Sequence, residues 1–185
     1  MTYTFLAAGF EEVEALTVVD VLRRAGEPVT TVSITDNPVV MGAHNIPITA
    51  DTTFGAVDFS DVTALFLPGG MPGATNLDAH EGLRQLILKC AAEGKVIAAI
   101  CAAPLVLGHL GLTEGKTCTC YPGFETELKG ANYTAGLVEV DGNVFTGCGP
   151  AAGLELGYVL AERLVSKTVA DQLREGMQYN KLVKK

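Results

Sequence analysis

Basic residues and long hydrophobic runs are both scarce in this sequence. The 185 residues include 13 lysines and arginines against 21 aspartates and glutamates, which gives a net charge of −8. A nucleic-acid-binding protein needs a basic surface, so that class is excluded. No apolar run approaches the roughly 18–20 residues that cross a bilayer, and no basic leader precedes the short apolar stretch near the start. We therefore expect neither a membrane span nor a targeting segment.

Charged residues of both signs are few, at 18%, whereas hydrophobic residues make up 48%. Disordered and coiled-coil chains are richer in charge and poorer in apolar side chains, so both classes are excluded. A chain of this length fits one domain over residues 1–185, which on folding buries roughly 70% of the surface that its unfolded form exposes. We expect a single domain with a full hydrophobic core.

The five cysteines, Cys90, Cys101, Cys118, Cys120 and Cys148, do not form the pattern of a disulfide framework. Their odd number and irregular spacing favour a reducing compartment, and we expect a cytoplasmic protein. On a strand, Cys118 and Cys120 would point to the same face, but no second ligand pair completes a zinc site, so no metal is expected. Most of these thiols are expected to be small buried hydrophobic groups.

Apolar strand-like runs alternate with helical segments along the whole chain. The runs predict strands at residues 3–7, 29–34, 62–67 and 96–100, hairpins at 39–50 and 136–146, and helices at 11–25, 81–92, 104–110, 150–164 and 168–177. Continuous apolar strands such as residues 96–100 are typical of a parallel sheet that is covered on both faces. The pattern predicts a three-layer α/β sandwich of the doubly wound kind, with its ligand site beyond the carboxyl ends of the strands.

Cys101 lies where a buried strand turns directly into a helix, which is the setting of a nucleophile elbow. Amide donors at a helix start lower the pKa of a thiol and bind an oxyanion. The N–H of Ala102 is one such donor. The N–H of Gly70, at the end of a neighbouring apolar strand, is a second because no side chain blocks approach to it. From the residues alone, Cys101 is either this nucleophile or an inert thiol that closes a buried strand.

None of the three histidines is spaced to act as a base for Cys101. His109 lies eight residues further along, about 12 Å of helical rise, which is too far for a hydrogen bond. His44 and His80 are expected to be exposed surface residues. A Cys–His protease dyad therefore has no support.

Three acidic residues, Glu11, Glu12 and Glu14, open the first helix. An acidic first turn usually only complements the helix dipole. Alternatively, one of the three faces inward as a carboxyl partner for the thiol of Cys101.

The sequence resembles the DJ-1/PfpI (ThiJ) superfamily in four stretches that occur in the same order: LAAGFEEVEALTVVDVLRRAG, LFLPGGMPGATNL, VIAAICAAPLVL and TGCGPAAGLELG. The likeness covers nearly the whole chain and is closer to the DJ-1-like branch than to the protease branch. It implies a flavodoxin-like α/β sandwich and a homodimer. It also implies that Cys101 is the elbow cysteine and that Glu14 is the buried glutamate bonded to it. Gly70 and Ala102 would supply the backbone donors.

The chain departs from the family pattern at three places. The protease branch has a histidine directly after the nucleophile, where this chain has Ala102, so peptidase activity is not expected. Human-type members carry a histidine where this chain has Cys120 and Tyr121, which leaves Glu14 as the acid–base group. Cys148 replaces a common arginine, so a second thiol is expected near the site.

The resemblance implies a cofactor-independent enzyme of the glyoxalase III or deglycase type, acting on a small α-oxoaldehyde such as methylglyoxal. Cys101 would add to the aldehyde and Glu14 would move the proton. The alternative is a redox-sensing stress or chaperone protein that works by oxidation of Cys101. Residues 147–152 also match G-x-G-x-x-G/A, but no second strand ending in an acid follows, so a dinucleotide cofactor is not expected.

Overall fold

The computed structural model describes residues 1–183. Its strands are β1 (Thr2–Leu6), β2 (Val29–Ser33), β3 (Val39–Met41), β4 (Pro47–Thr49), β5 (Thr52–Thr53), β6 (Ala64–Leu67), β7 (Val96–Ile100), β8 (Thr117–Cys118), β9 (Asn132–Tyr133), β10 (Val138–Asp141) and β11 (Val144–Gly147). Its α-helices are α1 (Glu12–Arg24), α2 (Gly73–Ala79), α3 (Glu81–Ala92), α4 (Pro104–His109), α5 (Gly153–Leu164), α6 (Lys167–Gly176) and α7 (Tyr179–Val183). No helix within residues 1–183 combines the length and the apolar character needed to cross a bilayer.

The central sheet has the strand order β10-β11-β7-β6-β1-β2-β5. Every neighbouring pair in it is parallel except β10 and β11, which form the hairpin expected around Asp141-Gly142. Helices α1, α5 and α6 pack together, as do α2, α3 and α4. The three-layer, flavodoxin-like α/β arrangement with a mostly parallel sheet is thereby confirmed.

Helix α1 shows how local sequence determines an element. Glu11 is its N-cap and accepts a hydrogen bond from the N–H of Val13, while Arg23 and Arg24 occupy the last turn. This charge order complements the helix dipole. Gly26, with φ of +82°, follows the end of the helix in the left-handed region that glycine adopts most readily. The predicted and observed boundaries of α1 differ by one residue at each end.

Helix α2 was not anticipated from the sequence. It begins in a glycine-rich segment whose composition is unfavourable for a helix. Tertiary contacts stabilise it: the side chain of Asn76 donates to the carbonyl oxygen of Ala8 at 2.8 Å. At Gly73, a Cβ would lie only 2.7 Å from the Cα of Phe10, so the close approach of α2 requires glycine there.

Strand register brings the candidate residues to one edge of the sheet. Leu67 of β6 lies opposite Ala99 of β7, and Ile100 of β7 lies opposite Gly147 of β11. Because these strands are parallel, the segments that follow them emerge at the same carboxyl edge. The segment after β1 emerges there too and leads into α1.

Candidate active site

Cys101 follows β7 directly and has a φ of +63°. This left-handed conformation is uncommon for a residue with a side chain and often marks a functional position. Two backbone hydrogen bonds hold the turn: Cys101 N–H donates to the Gly147 oxygen, and Tyr121 N–H donates to the Cys101 oxygen, each at 2.8 Å. The residue is only 9% exposed. The structure therefore has the backbone geometry of a nucleophile elbow.

Glu14 is the acidic residue of α1 that turns inward, and it is fully buried. Its Oε2 accepts a hydrogen bond from the Gly69 N–H at 2.8 Å. The carboxyl group also interacts with the thiol of Cys101, since each perturbs the pKa of the other. The second oxygen, Oε1, is buried and has no hydrogen-bond partner among residues 1–183. Burying a carboxylate oxygen without a donor is costly, and this cost favours the protonated form of the carboxyl group.

Gly69 and Gly70 allow the close approach of these two groups. A Cβ on Gly69 would lie 2.6 Å from the Cβ of Cys101 and 2.7 Å from Oε2 of Glu14. Gly70 has a φ of +87°, and a Cβ there would lie 2.4 Å from the backbone nitrogen of Glu11. Any side chain at either position would displace the site. The sequence analysis identified Gly70 but missed Gly69, although the two form a doublet at a strand end.

The backbone N–H groups of Gly70 and Ala102 both act on the sulfur of Cys101, and each lowers the pKa of the thiol. They come from two different strand ends, β6 and β7, and they converge because those strands are neighbours. Two converging amide donors can also stabilise a negative charge that forms on a substrate oxygen. The structure thus brings together the four residues that the sequence analysis selected: Cys101, Glu14, Gly70 and Ala102.

The pKa of the Cys101 thiol, beside Glu14, differs from what the sequence predicts. Burial raises the pKa of Glu14 to about 7, against opposing hydrogen bonds from Cys101 and Gly69. Burial, followed by the charge and hydrogen bond of Glu14, raises the pKa of Cys101 to about 12. The expectation of a lowered thiol pKa was wrong, because these two effects outweigh the amide donors. Between these two values the pair holds one proton, which the Cys101 thiol carries while the Glu14 carboxyl group is ionised.

The other two acids of the first turn have separate roles. Glu12 is buried beneath the β3–β4 hairpin, where it accepts from the His44 backbone N–H and contacts its Nδ1, both at 2.8 Å. Burial opposes ionisation of Glu12, but the hydrogen bonds, chiefly from His44, outweigh it and lower the pKa. One carboxylate oxygen each of Glu11 and Glu12 and one ring nitrogen of His44 could serve as metal ligands, and these atoms lie within 4.8 Å of one another. Hydrogen bonding between the hairpin and the helix start accounts for this grouping.

The hydrogen bonds of the three histidines within residues 1–183 do not involve Cys101. His44 is exposed, as expected. His80 is half-buried rather than exposed, because its Nδ1 caps α3 by accepting from the Leu83 N–H at 3.0 Å. His109 lies between two carboxylates, Asp78 and Glu127, each 2.8 Å from one ring nitrogen.

Two further features near Cys101 come from the loop after β8 and the end of β11. Tyr121 is 47% exposed, and its ring lies 3.2 Å from where a Cβ of Gly149 would be. Cys148 is half-buried, and burial, with a smaller contribution from the charge of Glu14, raises its pKa. Cys118 and Cys120 are fully buried hydrophobic thiols, as expected. The second thiol expected near the site is therefore Cys148.

Comparisons with known proteins show which sequences and structures this chain resembles. A model of the DJ-1/PfpI family matches residues 2–163. The chain is 38% identical over 167 residues to Protein DJ-1 homolog B of Arabidopsis thaliana, with 89% of this chain and 38% of that protein covered. It is 34% identical to Protein dj-1beta of Drosophila melanogaster, with 93% of each covered. It is also 32% identical to a Pyrococcus horikoshii protein named as a deglycase, with 77% of this chain and 87% of that one covered.

Coverage differs among these relatives. The chain spans 38% and 44% of the length of the two Arabidopsis relatives that it matches. Among solved structures, oxidised DJ-1 of Toxoplasma gondii is similar with a TM-score of 0.91 at 32% identity, with 96% of this chain and 97% of that one covered.

Proposed function

The chain belongs to the DJ-1/PfpI family, and on this premise we propose that it acts on small α-oxoaldehydes such as methylglyoxal, by cofactor-independent chemistry of the glyoxalase III or deglycase type. The contact of Cys101 with the buried carboxyl group of Glu14, at the sheet edge where two amide donors converge, carries this proposal. The similarity to a protein named as a deglycase supports it.

The reaction starts with attack of the Cys101 sulfur on the aldehyde carbon. The thiol proton passes to Glu14, and the new alkoxide accepts hydrogen bonds from the N–H groups of Gly70 and Ala102. Protonation of the alkoxide gives a hemithioacetal. Glu14 then removes the proton from the former aldehyde carbon, the hydroxyl proton on that carbon passes to the neighbouring carbonyl oxygen, and Glu14 returns its proton to the adjacent carbon. These transfers convert the hemithioacetal, through an enediol, to a thioester. Water cleaves the thioester, so that methylglyoxal and water yield lactate and the free thiol.

The raised pKa of Glu14 suits this proton transfer. A general acid–base group works best when its pKa lies near the operating pH, and the pKa of Glu14 is about 7. Because the carboxylate accepts the thiol proton during attack, the high pKa of Cys101 does not prevent reaction. The sulfur becomes nucleophilic only as its proton leaves.

We extend the proposal to a homodimer in a reducing compartment such as the cytoplasm. Val13 and Leu16 on α1 are 54% and 40% exposed, and Ile46 on the neighbouring hairpin is 50% exposed. A second copy of the chain covering these apolar side chains would remove them from water. The five free cysteines support a reducing environment.

Incubation of the purified, reduced protein with methylglyoxal and no added cofactor tests the proposed activity. We expect lactate to form with the parent and to fall to background with Cys101→Ser. Cys90→Ala serves as the matched control, since Cys90 lies near the end of α3, which leads to the opposite edge of the sheet. Equal lactate formation by Cys101→Ser would refute the assignment. No lactate, with preferential peroxide oxidation of Cys101, would instead support the redox-sensing alternative.

A further inference from the structure

Cys101 and Cys148 directly follow two neighbouring parallel strands, β7 and β11. Ile100 and Gly147 are register partners, and the Cys101 N–H donates to the Gly147 oxygen at 2.8 Å. Cys101 directly follows Ile100 in the chain, and Cys148 directly follows Gly147. Adjacent strands lie about 4.8 Å apart, and disulfide-linked cysteines have Cα atoms about 4.4–6.8 Å apart. The register partners Ile100 and Gly147, which directly precede the two cysteines, therefore have a spacing in the range that a disulfide needs.

The side chain of Cys148 is partly accessible. It is half-buried, whereas Cys118 and Cys120 are fully buried. The carboxyl group of Glu14 raises the pKa of both Cys148 and Cys101, so one charged group acts on both thiols. Cys148 is thus the other partly accessible thiol beside the candidate active site within residues 1–183.

The local backbone permits the movement that a bond requires. In the reduced protein the Cβ of Cys101 leans toward Gly69, on the β6 side, so its sulfur must rotate toward β11 to reach Cys148. Cys148 stands between Gly147 and Gly149. Two flanking glycines give its backbone more freedom than side-chain-bearing neighbours would allow.

We propose that Cys148 is a resolving thiol, which closes a disulfide with Cys101 after a hydroperoxide has oxidised Cys101. This inference goes beyond the aldehyde reaction but rests on the same reactivity of the Cys101 sulfur. The disulfide would block the nucleophile reversibly and protect it from irreversible overoxidation.

The chemistry balances in two steps. The Cys101 sulfur attacks the peroxide, forming an S–O bond and breaking the O–O bond, while its proton leaves with the alcohol or water. The Cys148 sulfur then attacks the sulfenic sulfur of Cys101, forming the S–S bond and breaking the S–O bond. The Cys148 proton departs with the oxygen as water. In total, two thiols and one hydroperoxide yield one disulfide, one alcohol or water, and one water; an external thiol reverses the change.

Peptide mapping without reduction tests the proposal directly on the parent protein. Trypsin separates Cys101, Cys148 and the Cys118/Cys120 pair into three peptides, 96–116, 130–163 and 117–129. After one equivalent of hydrogen peroxide and alkylation of the remaining thiols, we expect peptide 96–116 to be linked to peptide 130–163. A link of 130–163 to 117–129, or no link alongside oxidised Cys101, overturns the proposal.

Substitutions distinguish a specific reaction of Cys148 with oxidised Cys101 from unselective oxidation of the thiols. We expect Cys148→Ser to abolish the bridge and to raise the yield of Cys101 sulfinic acid several-fold, whereas Cys120→Ser, the matched control, retains the bridge. An unchanged sulfinic yield in Cys148→Ser overturns the proposal. Lactate formation by the reduced protein is measured separately, so failure of the aldehyde reaction and failure of the bridge are distinguishable.

Discussion

Replacement of Glu14 by glutamine tests the energetic state of the buried carboxyl group. In the unfolded chain this group loses its proton near its ordinary pKa of 4.5, whereas burial raises its pKa in the folded protein to about 7. Between these values the folded state holds a proton that the unfolded state has released. The stability of the parent therefore falls as pH rises from about 4.5 to about 7, and remains reduced above that.

The size of the effect follows from this difference in pKa. A shift of one unit corresponds to about 1.4 kcal/mol, so a rise from 4.5 to about 7 costs the parent about 3 kcal/mol above neutral pH. Glutamine has nearly the same shape, carries no charge, and keeps an oxygen that can accept the Gly69 N–H. We expect Glu14→Gln to exceed the parent in free energy of unfolding by about 3 kcal/mol at pH 8, and to match it near pH 4.

Urea unfolding of both proteins across pH 4–8 measures this difference. Glu162→Gln is the matched control, because Glu162 is exposed on α5 and should show no such pH-dependent gain. The variant should also lose lactate formation, since an amide does not accept the thiol proton. If the two proteins have the same free energy of unfolding at pH 8, or if their difference does not change with pH, burial does not raise the pKa of Glu14 and the reasoning is refuted.

Three further outcomes are expected. Gly69→Ala should lose activity and about 1–3 kcal/mol of stability, because its Cβ would overlap the Cys101 Cβ; Gly55→Ala, with open space at its Cβ, is the control in urea unfolding. Contacts with two carboxylates, chiefly Glu127, raise the pKa of His109, so the protonated ring stabilises the folded protein. This contribution to the free energy of unfolding is full below about pH 6.5 and is lost as pH rises through the pKa of His109 in the folded state. Unfolding of His109→Gln, compared with the parent at pH 5.5–9, should show the difference shrinking with pH, and a constant difference would contradict it. The rate of Cys101 alkylation should rise with a midpoint near pH 7, because the ionised Glu14 carboxylate accepts the thiol proton, and a flat profile between pH 6 and 8 would argue against this proton transfer.

Strongly periodic elements were predictable because their burial depends on local pattern. The predicted bounds of α3 and β7 agree with those observed, since Glu81–Ala92 has helical spacing and Val96–Ile100 is apolar throughout. Short or glycine-rich elements were not predictable. Two-residue strands such as β8 are too short for any periodicity, and α2 depends on contacts with the segment after β1.

The candidate site was predictable in its residues but not in its energetics. Cys101 stands out because a buried strand that turns directly into a helix is visible in sequence, whereas the choice of Glu14 over its two acidic neighbours depended on family resemblance. The sign of the thiol pKa shift required the structure, since it is the balance of burial, one carboxylate and two amide donors. The N-capping role of His80 was missed for the same reason, because it depends on one side-chain orientation.

By itself, the order of apolar and helical segments determined a parallel α/β sheet and the strand ends where chemistry can occur, because strand and helix periodicities are local properties of the chain. Only the tertiary structure decided which groups meet at that edge. Glu14, Gly69 and Cys148 come from distant parts of the chain and approach Cys101 through strand register and helix packing. Their protonation states follow from the burial that this packing creates.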